Sequence, residues 1–254
     1  MYYIKRVLII ALVMILLLII ASAVLLLYLR SGHWRPYRDE VTELYEYRYY
    51  RELGRTTIKA LTEQGQQLEI LDLPYEYKGT PVTELGYHQG LIDYLLTSSA
   101  VKTVYVPYTA TYIELDFPNL EQIFVCRLIY GLSSDAIIFV PSGNYETVIS
   151  HSTKNQHGNP IEIIKKANIS FNFNYEESPN EGYFRIDNTE YGGKITQPQY
   201  QPKREGYTFA GWYKDADCTD AWDFENDLTP EEAVDDEGVA VYQETILYAK
   251  WSKI

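Results

Sequence analysis

From Asn168 onward the chain falls into segments that alternate apolar and polar side chains at a period of two, a pattern that fits a half-buried sheet and cannot give a helix one apolar face. Ile169, Phe171 and Phe173 share one side of an extended segment, and Ser170, Asn172 and Asn174 share the other. Residues 182–187 read as a second strand, and Tyr191-Gly-Gly-Lys194 supplies a turn. Pro198 and Pro202 fix φ and prescribe an extended crossing segment. Tyr207, Phe209, Gly211 and Tyr213 then alternate with Thr208, Ala210 and Trp212, and a glycine inside a strand marks a bulge or a close approach. Residues 215–220 form a turn, Trp222 and Phe224 re-enter, and Leu247, Ala249 and Trp251 close the sheet. Aromatic residues make up 15% of the chain and 25 residues are Tyr, which favours strands again. Phe209, Trp212 and Trp251 read as a small core. Exposed tyrosines are the ones that could offer a platform to a glycan or protein.

Four motifs stand in a fixed order in this segment: Lys194-Ile-x-x-Pro198, Pro202 with Gly206-Tyr-Thr-Phe-Ala-Gly-Trp-Tyr213, Trp222-Asp-Phe224, and Leu247-Tyr-Ala-Lys-Trp251. Together they resemble the Listeria–Bacteroides repeat, also called the internalin B-repeat, over about a third of the chain. The resemblance implies a compact β-grasp-like module over 168–254 and an exported bacterial surface protein rather than an intracellular enzyme. This copy departs from the family by a longer acidic segment, 228–243, in which 231–237 reads as a helical or loop insertion. The Asp-x-Asp-x-Asp-Gly spacing of an EF-hand is absent from it.

The net charge is −13, which disfavours nucleic acid, since phosphate binding needs a surplus of Lys and Arg. Residues 169–254 carry 7 basic and 18 acidic side chains, against 15 and 17 in residues 1–168. The acidity thus belongs to the C-terminal module, as a solvated, self-repelling surface or as an attractor of a cationic partner or Ca²⁺.

A second pattern runs through residues 66–150. Leu68-x-x-Leu71-x-Leu73 precedes Pro74, Val101-x-x-Val104-x-Val106 precedes Pro107, Leu120-x-x-Ile123-x-Val125 follows, and Ile138-x-Val140 precedes Pro141. The same-phase positions 73, 106, 125 and 140 predict short strands stacked unit on unit, each apolar face buried only by its neighbours. Residues 73–86, with Val104-Tyr-Val-Pro107 and Ile138-Phe-Val-Pro-Ser-Gly143, resemble BspA-like leucine-rich repeats, although the helical segment usual after the Leu-Gly turn is missing; Leu91 to Leu96 could stand in for it. The apolar positions are core. Exposed positions between them, Glu69, Asp72, Lys102, Thr103, Tyr105, Glu121 and Gln122, are where function would lie.

Residues 7–29 carry no charge and are long enough, at about 1.5 Å per residue, to cross a bilayer core. Lys5 and Arg6 precede them, and Arg30, Arg35 and Arg38 follow, so the flanks alone do not set orientation. Ala21-Ser-Ala23 resembles a signal-peptide cleavage site, but the apolar run continues past it. The expectation is an uncleaved N-terminal anchor, N-terminus inside, with the later modules outside. Residues 31–65 are expected to be a helical juxtamembrane spacer, from Val41, Leu44, Tyr45, Tyr49 and Leu53 near helical spacing and Gly54 as a stop. Residues 151–167, with His151 and His157, read as a linker, its end 161–166 as a strand or helix.

The expected fold class is therefore mainly β or α+β: transmembrane helix 1–30, spacer 31–65, leucine-rich-repeat-like solenoid 66–150, linker 151–167, β-grasp-like module 168–254. Cys126 and Cys218 fall in different modules, so no disulfide framework is expected, which fits a Gram-positive surface. His33, His88, His151 and His157 lie in spacer, turn or linker positions, and no zinc spacing, GxSxG, HExxH, P-loop or GxGxxG arrangement occurs. No catalytic residue, cofactor or metal is expected. The expected partners are the membrane, through 7–29, and a protein or glycan at the cell surface whose binding residues and identity the sequence leaves open, as it does the oligomeric state. The expected function is non-catalytic binding or adhesion, with a structural spacer or envelope-assembly element as the alternative.

Overall fold

The computed structural model describes residues 14–15, 17–24, 37–89, 92–127, 129, 136–151 and 164–254. The first ordered sheet opens with three antiparallel strands, Arg38–Val41, Tyr45–Tyr50 and Arg55–Leu61. The helical spacer expected over 31–65 is thereby corrected for its described part. Tyr45 and Tyr47 are both buried against the core, and residues two apart share a face only in a strand. Asp39 accepts hydrogen bonds from Arg48 Nε at 2.8 Å and Lys59 Nζ at 3.0 Å across the strands.

Beyond Leu61 the chain winds so that successive strands pair in parallel. Arg55–Leu61, Thr80–Leu85 and Tyr112–Ile113 lie side by side in one sheet. Ile70–Asp72, Thr103–Val106, Gln122–Val125, Ile137–Val140 and Ile164–Lys166 form a second, all-parallel sheet. Leu71, Val104, Ile123 and Ile138 occupy one rung of it, and Val106 lies opposite Val125 in the next inward-facing rung. These side chains and those of Ile58, Val82, Leu85 and Ile113 fill the space between the sheets. The segments linking these strands return as further short strands and turns, such as Thr80–Leu85 and Leu96–Thr97, where a leucine-rich repeat would place helix. The BspA-like assignment is accordingly not supported. Strand Ile164–Lys166 extends the second sheet, so the end of the expected linker 151–167 belongs to the first unit; residues 152–163 lie outside the described residues.

The C-terminal unit is a four-stranded mixed sheet in the order Tyr183–Asp187, Ile169–Asn172, Thr245–Lys253, Tyr207–Tyr213. Ile169–Asn172 pairs in parallel with the start of Thr245–Lys253, and the other pairs are antiparallel. The register slips between Phe209 and Trp212, where Gly211 takes φ 113°, a value that favours glycine. Phe171, Phe173, Trp212, Leu247 and Ala249 are buried together, and the Trp251 indole donates to the Phe173 carbonyl at 2.6 Å. The acidic segment forms neither helix nor bare loop but a small hairpin, Ala233–Val234 with Ala240–Val241. Asp235 organises its turn by accepting the Glu237 and Val239 amides, each at 2.9 Å.

The expected fold class is corrected at the N-terminus. Among the described residues the protein is mainly β with few helices, and no helix is long and apolar enough to cross a membrane. Residues 14–15 and 17–24 are helical, and residues 7–13, 16 and 25–29 of the expected span lie outside the described residues.

Candidate binding groove at the seam between the two units

Ile123 to Cys126 and Ile137 to Val140 are unbroken apolar runs, which means that both faces of the parallel sheet are covered. Its inner face meets the first core. Its outer face carries Tyr105, Phe124 and Phe139, stacked in sequence with centroids 4.6 and 4.8 Å apart and planes within 12°. Strand Tyr183–Asp187 of the C-terminal unit lies over this ladder. Arg185 sets its guanidinium 3.6 Å above the Tyr105 ring and pairs with Asp72, while Ile186 packs with Phe124, Cys126, Phe139 and Ala167. The Tyr105 hydroxyl donates to Asp187 at 2.9 Å. Burial pushes the Asp187 carboxyl above its ordinary range, with Arg185 pulling the other way. Farther along, Ser142 donates to Glu244 and the Tyr242 hydroxyl to the Ala167 carbonyl. Burial pushes the Cys126 thiol up to about 12 and raises that of Cys218, which disfavours the thiolate at both.

The exposed positions expected to carry function do not converge on an open face. Asp72 and Tyr105 are engaged by Arg185 and Asp187 in the seam. Lys102 and Glu69 pair with each other at the surface at 3.2 Å, Glu121 is exposed, and Thr103 and Gln122 are half-buried rungs of the parallel ladder. Among the four histidines, His33 and His157 lie outside the described residues, His88 is in strand Tyr87–Gln89, and His151 ends the short helix Tyr145–His151.

What the seam does leave open lies beside the proline-bounded crossing segment. Pro198 and Pro202 hold it extended, and three polar contacts fix it to the first unit. The Gln199 amide donates to Asp72 at 3.2 Å, the Tyr75 hydroxyl donates to the Gln201 carbonyl at 2.9 Å, and Lys203 pairs with Glu76. Burial pushes the Tyr200 phenol up to about 12, so it is neutral at physiological pH. A cavity of about 30 Å³ lies under the segment, room for a water molecule or two. Next to it opens a groove of about 320 Å³ lined by Tyr75, Glu76, Gln199, Tyr200, Gln201 and Lys203. Two tyrosines, two glutamines and the Lys203–Glu76 pair make up its lining. Among the described residues, no group of three or more His, Cys, Asp or Glu side chains could hold a metal ion.

The hairpin presents a second kind of surface. Leu228, Val234, Val239 and Val241 are each more than 40% exposed, in a segment that carries Glu231, Glu232, Asp235, Asp236 and Glu237. Sequence reasoning pointed to this segment but not to the groove. The signals for the seam were Phe124 and Phe139 on the polar phase of the parallel strands, and Tyr200 between two prolines.

Comparison with known proteins finds similarity over part of the chain. No solved structure matches the chain. Two proteins of Evansella cellulosilytica are similar to it over 62 residues: one named "Putative membrane protein" at 44% identity and one named "Putative Gly-rich membrane protein" at 42%. The aligned stretch is 24% of this chain but only 7% and 6% of those much longer proteins. Residues 168–250 match the family model of the Listeria-Bacteroides repeat domain.

Proposed function

We propose that this chain is a non-catalytic binding protein of a bacterial cell surface, associated with the membrane, and that its ligand sits in the groove at the seam. The observation that carries the proposal is the groove itself, formed jointly by residues 75–76 of the first unit and 199–203 of the repeat domain. The match of residues 168–250 to the Listeria-Bacteroides repeat and relatives named as membrane proteins support the location. Tyrosines, amides and a closed ion pair offer contacts but no activated nucleophile or general base, which is why a binding role is preferred to catalysis. On this view the ligand is a protein or glycan of the cell surface or its surroundings.

A structural role in envelope assembly is the second reading, favoured by the exposed valines of the hairpin, since contiguous exposed apolar side chains mark contact surfaces. Photo-cross-linking in living cells separates the two. A photoreactive residue at Gln201 is expected to capture a ligand that one at Val234 does not. Capture of the cell's own envelope proteins from Val234, with nothing from Gln201, refutes the groove as the binding site.

A further inference from the structure

Resting on the groove as the binding site, we infer that its ligand is a neutral saccharide. The tyrosines come first. Tyr75 is 8% exposed and is braced from behind by Tyr108, 5.4 Å away, and Phe184, 5.8 Å away, so its position is fixed before any ligand arrives. Tyr200 is half-buried and lies between Pro198, two residues earlier, and Pro202, two residues later, which restrict the backbone on either side. Rigid aromatic surface with few rotatable bonds loses little entropy on binding. It also suits a ligand whose own faces carry C–H groups, as a pyranose ring does.

The polar lining selects the chemistry further. Gln199 and Gln201 fix the crossing segment through backbone groups, a donated amide and an accepting carbonyl, which leaves their exposed side-chain amides for a ligand. Each amide offers two donors and an acceptor, the set that matches vicinal hydroxyls, which donate and accept in turn. The charges of the lining cancel: Lys203 is already paired with Glu76. An anionic polymer would find no free cation there and would meet a chain of net charge −13. An apolar peptide side chain would find tyrosines and glutamines where it needs an aliphatic pocket. The volume, about 320 Å³, is at the small end of ligand sites, ~300–1,000 Å³, which fits a short stretch of a glycan rather than a protein surface.

The test is a titration of the full chain, labelled with ¹⁵N, with three probes: a neutral oligomer of N-acetylglucosamine, a sulfated polysaccharide, and a lysine-rich peptide. The neutral oligomer is expected to shift the side-chain amide signals of Gln199 and Gln201, and the double variant Gln199→Ala/Gln201→Ala to bind it about tenfold more weakly, the loss of one or two net hydrogen bonds. Because neither side chain holds the fold, the variant is expected to melt with the parent, which separates lost contacts from lost structure. A Tyr200→Phe variant, which keeps the ring, is expected to bind more tightly than Tyr200→Ala. If the sulfated polymer or the peptide moves these signals and the neutral oligomer does not, the saccharide class falls while the groove stands. If no probe moves them, or if the double variant binds the oligomer as the parent does, the inference is overturned.

Discussion

Replacing Arg185 by methionine tests whether the two units are one body. Arg185 is 8% exposed, its guanidinium pairs with Asp72, whose side chain is 15% exposed, and its plane rests on Tyr105 at 3.6 Å. Removing one member of a pair this buried leaves the carboxylate uncompensated and costs about 3–5 kcal/mol. The lost stacking adds as much as ~2 kcal/mol, part of which the polarizable methionine sulfur restores. We therefore expect Arg185→Met to lose about 3–5 kcal/mol. With an m-value of ~2–3 kcal/mol/M in urea, the midpoint should fall by about 1–2 M. Two probes watch the two units. Three of the four tryptophans, Trp212, Trp222 and Trp251, lie in the C-terminal unit, so indole fluorescence of a Trp34→Phe background follows it, while far-ultraviolet circular dichroism follows the whole chain. In the parent the two transitions should coincide, as they do for one cooperative body. In Arg185→Met the fluorescence transition should move to lower urea than the dichroism. Adding Asp72→Asn should recover about half the loss, because Asp187 alone then remains buried without the guanidinium. A single-variant loss below about 1 kcal/mol, or a double variant no better than the single, would refute the reasoning.

Two further perturbations have signs fixed by the structure. Because burial raises the Asp187 carboxyl, the folded state holds that proton more readily than the unfolded chain, so the group's stabilising contribution is full below about pH 4 and is lost as pH rises through the folded value. Asp187→Asn, which mimics the protonated acid and keeps an acceptor for Tyr105, should gain stability relative to the parent between about pH 4 and pH 7; urea midpoints that show the opposite trend would contradict it. Gly182 takes φ 94°, and a Cβ there would lie 2.8 Å from Asn172 Nδ2, so Gly182→Ala should cost at least ~1 kcal/mol by urea melting. Gly206→Ala, at φ 75° with nothing near the added carbon, is expected to cost less; equal losses would show that the Asn172 contact contributes nothing.

The C-terminal sheet was legible because its pattern is local. Phe171 and Phe173 point the same way in any strand, and Gly211 marked the bulge that the register confirms. The positions 73, 106, 125 and 140 were likewise in phase because each parallel strand repeats the same inward rung. What failed was reasoning from few residues with two periods in superposition. Val41, Leu44, Tyr45 and Tyr49 approximate a helical stripe, yet Val41 is 70% exposed, and the burial of Tyr45 with Tyr47 decides for a strand. The seam was hidden for a different reason. Asp72 and Tyr105 alternate with core positions and so look solvent-facing, and only the positions of Arg185, 113 residues from Asp72, and Asp187, 82 residues from Tyr105, show that they are covered. A one-dimensional pattern gives which face a side chain takes, not what lies against that face.

Strand Thr245–Lys253 sits in the interior of the C-terminal sheet, between Ile169–Asn172 and Tyr207–Tyr213. Until it arrives, neither of those neighbours has a partner on that side, and Tyr207–Tyr213 has no partner strand at all. Such long-range parallel closure is slow compared with a hairpin. A chain emerging from a ribosome or a translocation pore would thus keep its repeat domain open, with strand edges bare, until residue 253 is clear. The first unit, wound from nearer neighbours, can take shape earlier and present the Tyr105–Phe124–Phe139 ladder as a ready surface. The same ladder that ends as a buried seam would then serve, for that interval, as the template on which the last part of the protein assembles.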